Sequence, residues 1–148
     1  MQPTNMHATA VVLGDRGVLV SGPSGSGKTA LALALVEKLR SSGRFARLVA
    51  DDQVFLSAHR SRLVCHAPPT IAGLAEVRGL GPVPVAYEPA AAVDLLVRLV
   101  PAAETERLPE ATSELLLGCS VPKVMLAERE TGAAVPAILA LLGIGLFT

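Results

Sequence analysis

Eight consecutive residues, Gly22-Pro23-Ser24-Gly25-Ser26-Gly27-Lys28-Thr29, match G-x-x-x-x-G-K-[ST] at every fixed position. The glycines let the backbone bend so that successive N–H groups point at one phosphate. A helix opening at Lys28 adds the positive end of its dipole. The Lys28 ammonium can reach the β- and γ-phosphates, and the Thr29 hydroxyl is placed to bind Mg²⁺. The pattern therefore points to a bound nucleoside triphosphate, ATP with Mg²⁺, and to phosphoryl-group transfer. A Gly/Ser-rich linker can match such a pattern by chance. It would not, however, be flanked by an apolar strand on one side and an Ala/Leu helix on the other.

Two further acidic features follow. Leu48-Val49-Ala50 is an apolar run ending in Asp51-Asp52. In α/β sheets ligands gather at the carboxyl ends of strands, where this pair would sit. One carboxylate can hold Mg²⁺ or its waters; the other can take a proton from an attacking hydroxyl. Spacing alone does not say which does what, because neighbours on an extended chain point to opposite faces. A plain turn or cap is the bland alternative. Glu76-Val77-Arg78-Gly79-Leu80-Gly81 places an acid and a base just before a glycine turn. Glu76 can complete a metal shell begun by Thr29 and an aspartate. Arg78 can neutralise phosphate charge or lock a carboxylate, and a surface ion pair is the bland reading.

The elements that must hold these groups are legible in outline. Ala8–Leu13 reads as a strand, Gly14-Asp15-Arg16-Gly17 as a tight turn and Val18–Ser21 as a second strand. Lys28–Arg40 reads as a helix that stops at Ser41-Ser42-Gly43. Arg47–Ala50 reads as a strand, and Val54–Leu56 and Arg62–Cys65 as a strand pair around a turn at Ser57–Ser61. Thr70–Val77 reads as a short helix, Val83–Val85 and Val93–Val100 as strands, and Pro101–Ser113 as a loop. Val121–Ala127 reads as a strand and Ala133–Leu142 as a C-terminal helix. The sum is one α/β domain spanning 1–148 with a mixed sheet and few helices. It is not a regular doubly wound sheet, since a single long helix directly follows a strand.

Composition narrows the function classes. The chain is 148 residues long, 51% hydrophobic and 18% charged, so it can build a core. Thirteen basic residues balance thirteen acidic ones, which leaves no electrostatic footprint for nucleic acid or for a membrane surface. The apolar runs Ala30–Val36 and Ala133–Leu142 fall short of the roughly 20 residues a bilayer span needs. The start of the chain lacks the features of a signal peptide. A cytoplasmic protein is expected, and the surplus apolar surface suggests a homo-oligomer. Cys65 and Cys119 are far apart and lack zinc or disulfide spacing.

Four segments in order resemble the HPr kinase/phosphorylase family: His7-Ala8-Thr9, the phosphate loop, Leu48-Val49-Ala50-Asp51-Asp52, and Glu76-Val77-Arg78-Gly79-Leu80-Gly81. Val121-Pro122-Lys123 is a fainter match. The resemblance implies a P-loop-containing core like that of phosphoenolpyruvate carboxykinase. It implies an ATP- and Mg²⁺-dependent protein-serine kinase acting on the phosphocarrier protein HPr, in control of the phosphotransferase system, with a reverse phosphorolysis. It implies roles as well. Lys28 contacts phosphate, Thr29, Asp51 and Glu76 serve the metal, Asp52 is the base with Asp51 assisting, and His7 lies near the transferred phosphate. Lys123 would contact phosphate from a loop. A hexamer is the family's assembly. Against the family's pattern, a kinase core without the usual N-terminal domain and without the long C-terminal helical extension is expected. Extra residues around Ser41–Phe45 and a shortened loop at Ala86–Ala92 are the other departures. A small-molecule kinase or generic P-loop NTPase is the rival class.

Overall fold

The computed structural model describes residues 4–105 and 112–144. Eleven strands and two helices are present among them, β1 (Thr4–Met6), β2 (Ala8–Leu13), β3 (Arg16–Ser21), α1 (Lys28–Ser41), β4 (Ala46–Ala50), β5 (Val54–His59), β6 (Arg62–His66), β7 (Leu74–Val77), β8 (Gly81–Pro84), β9 (Ala90–Val100), β10 (Thr112–Leu116), β11 (Cys119–Ala127) and α2 (Thr131–Leu141). Nine strands form one mixed sheet in the order β1-β5-β6-β9-β3-β2-β4, with β11 also on β9 and β10 at its outer edge. β7 and β8 form a separate hairpin.

β2 is buried at all six positions, so both of its faces must be covered. Val11 and Leu13 join Val18, Val20, Leu95, Val97 and Leu99 beneath the helices. Leu31, Leu35 and Leu39 of α1 and Ile138 and Leu139 of α2 close that layer. The spacing of the three α1 leucines keeps them on one stripe, and each contributes about 1.5–3 kcal/mol by leaving water. Ala8, Ala10, Val12, Leu19 and Leu96 face the other way, against Leu56, Leu63 and Cys65. Burial pushes the Cys65 thiol up to about 12, so this cysteine behaves as an apolar filler.

β9 is the pivot. Its first residues, Ala90–Ala92, pair antiparallel with β6, and Val93–Arg98 pair parallel with β3. Leu96–Val100 pair parallel with β11. Gly17 leaves no room between β3 and β9: a Cβ there would lie 1.9 Å from the Ala92 carbonyl oxygen. β2 runs antiparallel to both β3 and β4. The carboxyl ends of β3, β4, β9 and β11 therefore lie along one edge of the sheet.

The expected elements recur with differences that have physical causes. Thr70–Val77 is not a helix: Pro69–Ile71 makes a single 3₁₀ turn, Gly73 takes φ 76°, and Leu74–Val77 pairs with Gly81–Pro84. The helix-favouring Leu-Ala-Glu run is overridden by that pairing. The turn at Ser57–Ser61 tightens to Arg60-Ser61, both with positive φ, as a two-residue hairpin demands. β9 begins three residues earlier than expected because its alanines pair with β6. The loop expected at Pro101–Ser113 contains a 3₁₀ turn at Ala102–Glu104 and ends in β10; residues 106–111 lie outside the described residues. Among the described residues, no helix is long and apolar enough to cross a membrane.

Candidate active site

The phosphate loop leaves β3 at Ser21 and enters α1 at Lys28. Gly25 (φ 82°) and Gly27 (φ 97°) take left-handed backbone, which costs glycine least. Gly22 has no room for a side chain: a Cβ would lie 2.6 Å from Ser26 Oγ and 3.1 Å from Leu99 Cβ. The Lys28 ammonium is buried and lies back across the loop, donating to the carbonyls of Gly22 (3.0 Å) and Pro23 (3.3 Å). Ser26 Oγ is buried with no partner among the described residues. An orphan hydroxyl and a folded-back ammonium, beside a glycine bend, fit a polyphosphate.

The two aspartates at the end of β4 are treated differently by the fold. Asp51 is 5% exposed and both its oxygens are engaged. Oδ1 accepts from Thr9 Oγ1 (2.9 Å) and Thr29 Oγ1 (2.7 Å), and Oδ2 accepts from the Glu76 amide (2.7 Å). Asp52 has a left-handed backbone, φ 66°, which turns its side chain off the strand and leaves it 59% exposed. Its Oδ1 lies 2.5 Å from His7 Nε2 and 3.7 Å from the Lys28 ammonium. Lys28, Thr29, Asp51, Asp52 and His7 thus come together from three stretches of chain.

Glu76 arrives differently from its expected role. It contributes its main-chain amide to Asp51, while its own side chain is exposed. Among the described residues no three His, Cys, Asp or Glu side chains form a ready-made metal cage. The donor set fits a hard cation held by few protein oxygens, those of Thr29 and Asp51, with water and phosphate completing the shell; Mg²⁺ is bound in this way. Arg78 is exposed at the β7–β8 turn. Lys123 lies on β11 and not in a loop, 3.3 Å from Glu114 Oε1. Glu114 also accepts from Arg98, whose Nη1 reaches Ser21 Oγ at 3.1 Å. Arg98 first and Lys123 second hold the Glu114 carboxyl below the usual range.

Two residues at the site carry roles that residue type and spacing did not assign. Thr9 is fully buried, donates to Asp51 and accepts the Asp52 amide at 3.1 Å. Its signal was present: a lone polar residue inside an apolar strand. Arg129, just past β11, donates its amide to the Ser26 carbonyl and its guanidinium to the Gly25 carbonyl. In Glu128-Arg129-Glu130 it looks like any surface charge run.

The family model for the HPr serine kinase C-terminal domain matches residues 1–140. The chain belongs to this family. The HPr kinase/phosphorylase of Limosilactobacillus reuteri (strain DSM 20016) is 34% identical over 132 residues, which is 81% of this chain and 39% of that protein. The HPr kinase/phosphorylase of Lacticaseibacillus casei (strain BL23) is 41% identical over 78 residues, 52% of this chain and 23% of that protein. The chain therefore spans well under half the length of these curated relatives. The solved structure of the Hpr(Ser) kinase/phosphatase from Coxiella burnetii superposes with a TM-score of 0.79 at 26% identity, covering 95% of this chain and 88% of that one. The mixed sheet with two helices is accordingly the fold of the HPr kinase family, as its P-loop, carboxykinase-like resemblance implied.

Proposed function

We propose that this chain is the catalytic unit of a cytoplasmic, homo-oligomeric protein kinase that uses ATP and Mg²⁺ to phosphorylate a serine of HPr, and that also runs the reverse phosphorolysis. Family membership supports the reaction class. The single observation that carries the mechanism is the unequal treatment of the two aspartates.

Bound ATP and Mg²⁺ supply the transferable phosphoryl group and screen its charge. The loop amides of residues 22–28 and the dipole of α1 hold the polyphosphate. Thr29 and Asp51 would hold the metal, and Asp51 is oriented for it by its three donors. Glu76 secures Asp51 through its amide and stands ready as an outer partner of the metal's waters. Lys28, which caps the loop carbonyls and lies near Asp52, would give its ammonium to phosphate oxygens. Asp52 has an open side chain within reach of an incoming hydroxyl and accepts its proton. His7 orients the Asp52 carboxylate through its Oδ1. In reverse, the same carboxylate takes a proton from inorganic phosphate.

The test is transfer of label from γ-labelled ATP, with Mg²⁺, to HPr of the same organism. Wild type should label an HPr serine. Asp52→Asn should bind ATP and lose transfer by about 10²-fold or more, the usual scale for a positioned base. Hydrolysis of ATP with no labelled protein would overturn the protein-kinase reading in favour of a simple P-loop NTPase.

A further inference from the structure

A loop that binds anions through its amides turns the intervening carbonyls outward, and outward carbonyls need donors of their own. Here two adjacent ones are taken by a residue a hundred positions later in the chain. The Arg129 amide donates to the Ser26 carbonyl at 2.9 Å, and Arg129 Nη1 donates to the Gly25 carbonyl at 3.1 Å. The guanidinium is held on its other side by Glu128 Oε1, 2.9 Å from Nη2. Glu128 is fixed in turn, its amide donating to the Val100 carbonyl at the end of β9. Arg129 adopts φ 59°, a backbone region that long side chains rarely visit and that persists only where surroundings enforce it. Its main chain also lies over Gly27, 3.6 Å from where a Cβ would stand.

Resting on the reading of residues 22–29 as a nucleotide site, we propose that Arg129 is a positioning residue, a clasp that sets the phosphate loop in its anion-binding shape before the ligand arrives. Ordering the loop in advance removes that cost from binding. The guanidinium acts through the Gly25 carbonyl and the amides that follow it, so its effect falls on affinity for the polyphosphate. The clasp also ties the loop to the β11–α2 junction, so the site is incomplete without that junction.

The experiment is calorimetric titration of ATP with Mg²⁺, and separately of pyrophosphate, into wild type, Arg129→Ala, Arg129→Gly and Arg129→Lys, with the transfer rate measured at saturating ATP. Losing one charge-assisted bond to the loop should weaken both ligands about tenfold in Arg129→Ala. The larger loss should fall on affinity and not on the saturated rate. Arg129→Gly, which accepts the left-handed backbone without strain, should lose affinity to the same extent, excluding misfolding as the cause. Arg129→Lys should recover part of it. Unchanged affinity in Arg129→Ala would overturn the clasp. So would a collapse of the saturated rate at unchanged affinity, since the guanidinium would then act on the reacting group. Wild type binding neither ligand would remove the nucleotide reading itself, a result distinct from either.

Discussion

Thr9→Val is the sharpest probe of the acidic pair. The substitution keeps the shape of a fully buried side chain and deletes one hydroxyl. That hydroxyl donates to Asp51 Oδ1 at 2.9 Å and accepts from the Asp52 amide at 3.1 Å. A hydrogen bond to an ionised carboxylate contributes about 1.5–3 kcal/mol net. The new buried methyl returns about 0.8 kcal/mol. The Asp52 amide is part-exposed and recovers some of its loss from water. The balance is a destabilisation of about 1–2 kcal/mol. For a chain of this size that lowers Tm by roughly 2–8 °C. Thermal unfolding followed by circular dichroism reads the shift. Label transfer from γ-labelled ATP should fall about tenfold in parallel, because Asp51 loses one of three donors and Asp52 loses the bond that fixes its backbone. Thr9→Ser should restore both. A Tm within about 1 °C of wild type, roughly the limit set by a few tenths of a kcal/mol, would refute the reasoning. So would a serine variant as impaired as the valine one, because the methyl group and not the hydroxyl would then matter.

Glu114→Gln tests the Arg98–Glu114–Lys123 network by its pH dependence. The Glu114 carboxyl titrates below its ordinary value of 4.5 in the fold, so its stabilisation is fully present above that value and is lost as pH falls through the lower, folded-state one. The variant should be less stable than wild type at pH 7, and denaturant titrations should show the gap closing below about pH 4.5; a gap independent of pH would sink this account. Gly17→Ala drives a Cβ into the Ala92 carbonyl oxygen at 1.9 Å. It should cost about 3 kcal/mol or more in urea unfolding, and a neutral result would mean β3 and β9 are not pressed together there.

The parts of the site legible in the sequence are those whose chemistry is local. Residues 22–29 announce a phosphate loop because bend, charge and hydroxyl fall within eight positions. Asp51-Asp52 stands out as two charges ending an apolar run. The difference between them was not legible, because it depends on φ at Asp52 and on donors supplied by Thr9 and Glu76. Main-chain contacts leave little trace in residue type: Glu76 and Arg129 act in large part through their amides. In the fold, β2, β3 and α1 were readable from clean apolar patterns. β7 was not, because Leu-Ala-Glu-Val favours a helix until a partner strand is present. β10 was not, because Thr112–Leu116 opens with three polar residues and exposes Leu115, so no apolar alternation marks it as a strand.

The position of β9 has a consequence for biosynthesis. It lies beside β3 in the sheet yet follows it in the chain by the whole of residues 22–89. As the polypeptide emerges from the ribosome, the β2–β3 hairpin, α1 and β4 can assemble early, leaving one flank of β3 with unpaired peptide groups until β9 is made. Such a bare flank is a template for wrong partners. Slow translation across residues 22–89 would lengthen the interval in which nascent chains can join one another instead of completing themselves.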